Sequence, residues 1–205
     1  MLSTVKVDMV LNKLDLLILH SNQIGAAGCA EFAGLISCST CASMQNLGQL
    51  HLTSNPLGDM GLKFIASAIE QNPQAVLPNI RELHLGDCGI ADKGAAKLAA
   101  ALTVSGLPKL TLLSLGQNNV GDAGCVALSD ALMNGFPRPK LTGIYLGRNA
   151  IGDVGAASLA TMLSISACVM GLKQIHLFAN LLTEDGKQAL DVAVKARKEL
   201  VIDVE

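Results

Sequence analysis

The stretch Leu110-Thr111-Leu112-Leu113-Ser114-Leu115-Gly116-Gln117-Asn118-Asn119-Val120-Gly121-Asp122-Ala123-Gly124 decides the architecture of this chain. Apolar residues at 113 and 115 flank a polar 114, the period of a short strand with one buried face. Asn118 stands where such a strand ends, and its side chain can bond backbone groups that the strand leaves unpaired. Gly121 permits a tight turn, and Asp122 is well placed to cap a helix N-terminus. Leu128 and Leu132, four residues apart, mark one face of the helix that follows.

The same frame occurs six times. It reads Leu14, Leu17, Leu19, Asn22, Ile24; then Leu47, Leu50, Leu52, Asn55, Leu57; then Ile80, Leu83, Leu85, Cys88, Ile90, with Cys in place of Asn. Beyond the opening stretch come Leu141, Ile144, Leu146, Asn149, Ile151 and Leu172, Ile175, Leu177, Asn180, Leu182. The Asn/Cys positions 22, 55, 88, 118, 149 and 180 are spaced by 33, 33, 30, 31 and 31 residues. A glycine recurs behind each, at 28, 61, 94, 124, 155 and 186, and is expected where helix backbone approaches the sheet. Apolar pairs four apart then define a helix in every unit: Phe32/Ile36, Ile65/Ile69, Leu98/Leu102, Leu128/Leu132, Leu159/Leu163 and Leu190/Val194. Pro108, Pro137 and Pro139 fall in connecting loops, where they end helices.

A strand–helix unit repeated with parallel strands builds a curved α/β solenoid, strands on the concave side and helices on the convex side. No unit buries its apolar face alone, so the chain is expected to be one domain over 1–205. Residues 14–195 form six repeats, and 1–13 form an N-terminal cap or a partial repeat. Residues 196–205 form a closing strand that reads as a true terminus, through the alternating Leu200-Val201-Ile202-Asp203-Val204. The composition agrees. Half of the 205 residues are apolar, but only four Phe and one Tyr are aromatic, because narrow identical layers favour aliphatic side chains. A formal charge of −2, with no basic stripe, argues against nucleic acid as a partner.

The L-x-x-L-x-L-x-x-N-x-I-G-D-x-G frame with a full helix resembles the ribonuclease-inhibitor-like class of leucine-rich repeats, over about residues 14–195. That class occurs in NOD-like receptors and Ran GTPase-activating proteins. The resemblance implies an intracellular, cytoplasmic protein-binding module, with GTPase activation, or a piece of a larger NOD-like-receptor-type regulator, as alternatives. The units here are somewhat longer than the class, with extended connections at Ser37–Asn46 and Glu70–Asn79.

Function is expected on the solvent-facing strand residues, which packing does not dictate. One column runs Ile18, His51, His84, Ser114, Tyr145, His176; a second runs His20, Thr53, Gly86, Gly116, Gly147, Phe178; a third runs Leu16, Gln49, Glu82, Leu112, Gly143, Gln174. All four histidines and the only tyrosine thus fall on the concave face. His51 and His84, about 5 Å apart on adjacent strands, with His20 and Glu82 nearby, suggest a metal cluster or a pH-sensitive surface. Strand spacing alone does not supply tetrahedral geometry, so no metal or other cofactor is expected. A protein-contacting face is preferred, made of His20, Gln49, His51, Glu82, His84, Ser114, Tyr145, Arg148, His176 and Phe178. Gly86, Gly116 and Gly147 are expected to leave a shallow depression between the histidines and the aromatics.

Other chemistries find little support. Cys38 and Cys41 form a lone C-x-x-C without the two further ligands of a zinc site, and the six cysteines read as free thiols. Val154–Leu172 is uncharged, yet its Gly, Ser and Thr content and its repeat register make it a helix plus a loop rather than a membrane span. No phosphate-loop, nucleophile-elbow or zinc-protease motif occurs, and a non-catalytic monomer is expected.

Overall fold

The structure, a computed structural model, describes residues 13–37, 44–72, 76–105, 107–135, 140–165, 169–195, 197 and 199–205. The capping segment before Lys13, the Cys38/Cys41 pair, Cys168, Pro137 and Pro139 lie outside the described residues. Strands β1 (Leu16–Ile18), β2 (Gln49–His51), β3 (Glu82–His84), β4 (Leu112–Ser114), β5 (Gly143–Tyr145), β6 (Gln174–His176) and β7 (Val201–Asp203) form one parallel sheet in chain order. Helices α1 (Ala26–Ser37), α2 (Gly58–Gln71), α3 (Asp92–Ser105), α4 (Asp122–Asn134), α5 (Asp153–Ser164) and α6 (Glu184–Lys195) alternate with them. The register is unbroken: Leu17, Leu50, Leu83, Leu113, Ile144, Ile175 and Ile202 pair in series. Val154–Ser164 belong to α5, and no helix among the described residues is long and apolar enough to cross a membrane.

The inward residues build a single core running from Cys29 to Leu200. Leu50, Leu83, Leu113, Ile144 and Ile175 form one buried row, and Leu52, Leu85, Leu115, Leu146 and Leu177 form another. The helix pairs close the layer from the other side, with Ile65, Ile69, Leu98, Leu102, Leu128, Leu132, Leu159 and Leu163 all buried. Burying a side chain of this size contributes roughly 1.5–3 kcal/mol. Each layer needs its neighbour to achieve that burial. β1, paired on one side only among the described residues, leaves its inward Leu17 half-buried, where Leu50, Leu83 and Leu113 are fully buried.

Hydrogen bonds from two side-chain columns stitch the layers. Asn118 Nδ2 donates to the carbonyl of Leu115 in its own repeat and of Leu85 in the preceding one. Its Oδ1 accepts from the N–H groups of Cys88 and Ile90. Asn55, Asn149 and Asn180 repeat the pattern, each spanning to the unit before it. Buried backbone groups that the short strands cannot pair are thereby satisfied.

Cys88 fills this position only in part. Its Sγ donates to the carbonyls of Leu52 and Gly86, but a thiol lacks the carboxamide oxygen that would receive the preceding repeat's N–H. The preceding turn differs accordingly. Leu57 N–H bonds Asn55 O, Gly58 N–H bonds Cys88 O, and Gly58 sits at φ +60°, where glycine alone is unstrained.

The aspartates cap helices, but the helix served belongs to the next repeat. Asp59 Oδ1 accepts from the N–H groups of Ala91 and Gly94, Asp92 from Gly121 and Gly124, Asp122 from Gly152 and Gly155, and Asp153 from Thr183 and Gly186. This also corrects the expected role of the recurrent glycine: Gly94, Gly124, Gly155 and Gly186 meet the preceding unit's capping aspartate, whereas Gly61 meets Cys29 and Gly28 meets Ile24. A Cβ on Gly124 would stand 2.8 Å from Asp92 Oδ1 and 3.0 Å from Ala95 Cβ. A Cβ on Gly94 would lie 2.6 Å from Asp59 Oδ1, and one on Gly186 would overlap Asp153 Oδ1.

Candidate functional site on the concave face

The residue before each Asn/Cys anchor lies in the left-handed region: Ser21, Ser54, Asp87, Gln117, Arg148 and Ala179 have φ between 51° and 57°. For residues other than glycine this conformation costs about 1 kcal/mol. It persists because the anchor on its C-terminal side is held by several hydrogen bonds, and because the residue's own N–H is paired. Gln117 N–H reaches Gly147 O, and Arg148 N–H reaches Phe178 O, both at 2.8 Å. Gln117 and Arg148 therefore stand on the rim where strands pass into helices, and both are exposed.

The strand register places Ile18, His51, His84, Ser114, Tyr145, His176 and Asp203 side by side. Two clusters form on this row. In the first, the His51 and His84 rings stack with centroids 4.0 Å apart and 24° between planes. His84 Nε2 lies 3.1 Å from Glu82 Oε2; with the carboxylate ionised, the imidazole nitrogen must be the donor. His51 Nε2 is shielded from solvent and has no hydrogen-bond partner among the described residues. Burial first, then the neighbouring His84, hold the His51 pKa below 6.5; His20 acts in the same sense and Glu82 opposes them.

In the second cluster, Tyr145 meets His176 edge-on with centroids 4.6 Å apart, and His176 meets Phe178 edge-on at 6.5 Å. Tyr145 Oη donates to Gln174 Oε1 at 3.3 Å. His176 Nδ1 is 3.3 Å from Asp203 Oδ2 on β7. The Phe178 ring lies on the backbone of Gly147, where a Cβ would come within 2.5–2.8 Å of ring carbons. Gly116, Gln117, Tyr145, Gly147, Arg148, His176 and Phe178 line an open depression of about 590 Å³. Arg148 makes no ion pair among the described residues.

A family model described as Leucine Rich repeat matches residues 43–66, 76–99, 106–129 and 139–160, in step with the strand–helix units. The fold is a leucine-rich repeat solenoid. Among solved structures, an internalin from Listeria monocytogenes aligns at 16% identity and TM-score 0.39, over 78% of this chain and 48% of that one. A chain of the octameric complex of Latrophilin 3, Unc5D and FLRT2 aligns at 21% identity and TM-score 0.44, over 87% and 51%. The chain thus spans about half the length of each. No curated protein sequence matches it.

Within the solenoid, the sequence-expected residues divide. Tyr145, Arg148, His176 and Phe178 converge on the depression, while His51, Glu82 and His84 form the separate cluster. Ser114 lies between them on β4, Gln49 sits beside Glu82 in the third column, and His20 bonds Ser21 Oγ at the β1 end. The floor of the depression is Gly116 and Gly147, not the whole Gly86–Gly147 row. Gln117 and Asp203 were not among the expected site residues. Gln117 is marked in the sequence by its place immediately before the Asn118 anchor, whereas the Asp203 contact depends on a side-chain rotamer. Cys29, Cys88 and Cys125 are free, and burial pushes the Cys88 thiol up to about 11 and that of Cys125 to about 12. Both stay protonated at neutral pH and offer no thiolate nucleophile.

Proposed function

We propose that the chain is a non-catalytic, monomeric module of the ribonuclease-inhibitor-like repeat type that binds a protein partner on its concave face. Full helices of 12–14 residues in every repeat favour that subtype. The observation that carries the binding assignment is the depression at Tyr145, Arg148, His176 and Phe178. It joins an aromatic wall, a glycine floor and an unpaired guanidinium. Aromatic and arginine side chains around a concavity are what concentrated binding energy requires. The guanidinium selects a carboxylate, and the wall selects an apolar side chain beside it. The partner's anchor is therefore an acidic residue next to an apolar one. Three unpaired buried thiols favour a reducing, cytoplasmic setting.

The test compares partner capture by the parent, Tyr145→Ala/Phe178→Ala and Arg148→Glu. Loss of an aromatic anchor pair costs about 2–4 kcal/mol, so capture falls by at least about 30-fold while the circular dichroism spectrum is unchanged. Unchanged capture by both variants moves the binding surface elsewhere.

A further inference from the structure

We propose that His51, His84 and Glu82 bind one divalent transition-metal ion of the zinc type, across strands β2 and β3. One potential ligand atom from each residue lies within 4.8 Å of the other two. In a tetrahedral zinc site with bonds of about 2.0–2.2 Å, ligand atoms stand about 3.3–3.5 Å apart. The difference is within reach of side-chain rotation on a fixed backbone. Strand register makes His51 and His84 partners and puts Glu82 two residues before His84 on the same face, and the side-chain conformations bring the three ligand atoms together.

The present hydrogen bonding leaves the site poised for a cation. His84 Nε2 donates one hydrogen bond to Glu82 Oε2 at 3.1 Å. Across the stack, His51 Nε2 is shielded and has no partner among the described residues. The two imidazole rings stack with centroids 4.0 Å apart. An ion bound to the three groups takes the place of the His84 Nε2 proton, which the neutral ring regains at Nδ1 by exchange through solvent, and joins the orphaned imidazole to the same centre. Two imidazole nitrogens and one carboxylate oxygen suit zinc, nickel or copper(II), and suit magnesium and calcium poorly. Three protein ligands leave a fourth position for water. This site is separate from the Tyr145–Phe178 depression and does not depend on a partner.

The experiment titrates zinc into the full chain carrying Cys38→Ser and Cys41→Ser, which removes the only C-x-x-C as a competing site. Calorimetry gives stoichiometry, and cobalt absorption gives ligand type. One zinc per chain is expected, with a rise in melting temperature that magnesium does not produce. The cobalt spectrum should lack the charge-transfer band of thiolate ligation. Losing even an outer-shell partner costs 10–100-fold in affinity. His51→Gln, His84→Gln and Glu82→Gln should therefore each weaken binding by at least about tenfold, while His20→Gln and His176→Gln leave it unchanged. Metal-free melting temperatures serve as the folding control. No stoichiometric binding by the parent overturns the proposal. Undiminished binding in His51→Gln/His84→Gln, or an equal thermal shift with magnesium, overturns it too.

Discussion

Two columns run through the same repeats and differ in kind. The column at 22, 55, 88, 118, 149 and 180 is asparagine in every repeat but one, whereas the column at 18, 51, 84, 114, 145 and 176 changes from isoleucine to histidine, serine and tyrosine. Each interior asparagine is held by backbone groups of two repeats, so no other side chain of its size supplies both the donors and the acceptor. The face residues are positioned by the sheet but not chosen by it. Sameness along a column therefore measures what the solenoid demands, and variety marks what it leaves free for recognition.

The largest test of that contrast compares Leu113 with its neighbour. Leu113→Ala empties a fully buried position and should destabilise the chain by about 2–5 kcal/mol in urea unfolding. Ser114→Ala, one residue on and facing outward, should change stability by less than about 0.5 kcal/mol. Next comes the anchor column. Asn118→Ala takes the partner from the Leu85 carbonyl and from the N–H groups of Cys88 and Ile90, at a cost of about 2–3 kcal/mol. Asn22→Ala should cost less than about 1 kcal/mol, because among the described residues exposed Asn22 bonds only carbonyls of its own repeat.

Glycines sharpen the comparison further, since two helical glycines have opposite surroundings. Gly124→Ala forces a methyl against Asp92 and Ala95 and should destabilise by about 1–3 kcal/mol. Gly34→Ala meets nothing within 4 Å among the described residues, in the interior of α1, and should stabilise by about 0.5–1 kcal/mol. The smallest effect concerns acid. The Thr183 hydroxyl, aided by the Thr183 and Gly186 N–H groups, holds the Asp153 carboxyl below the ordinary value of 3.8. A depressed carboxylate stabilises the fold above its unfolded pKa and loses that contribution as pH falls through its folded value. The protection of the Thr183 and Gly186 amides against hydrogen exchange, relative to the unfolded chain at the same pH, should therefore fall only below about pH 4, and Asp153→Asn should remove the effect.

The repeat, its register and the outward columns were legible because each rests on a fixed spacing. Leu50, Leu83, Leu113, Ile144 and Ile175 form their buried row where the pattern put it. What the pattern did not disclose lies between repeats. Asp92 recurs at a cap position, but a single chain of letters does not say that it serves α4 rather than α3. The geometry at Gly124 follows from that same displacement by one unit. The stacking of His51 on His84 and the seating of Phe178 on Gly147 are rotamer choices, invisible to spacing. Cys88 was visible as an exception, yet its consequence at Gly58 in the previous repeat was not.

Site-specific photo-crosslinking tests the concave assignment most directly. A photoactivatable residue is placed at Gln117, on the rim of the depression, or at exposed Lys97 on α3, on the helical side. The concave account expects one partner adduct from position 117 and none from 97, with that adduct lost when Tyr145→Ala/Phe178→Ala is added. Adducts from position 97 alone, or a position-117 adduct indifferent to the double substitution, would contradict it.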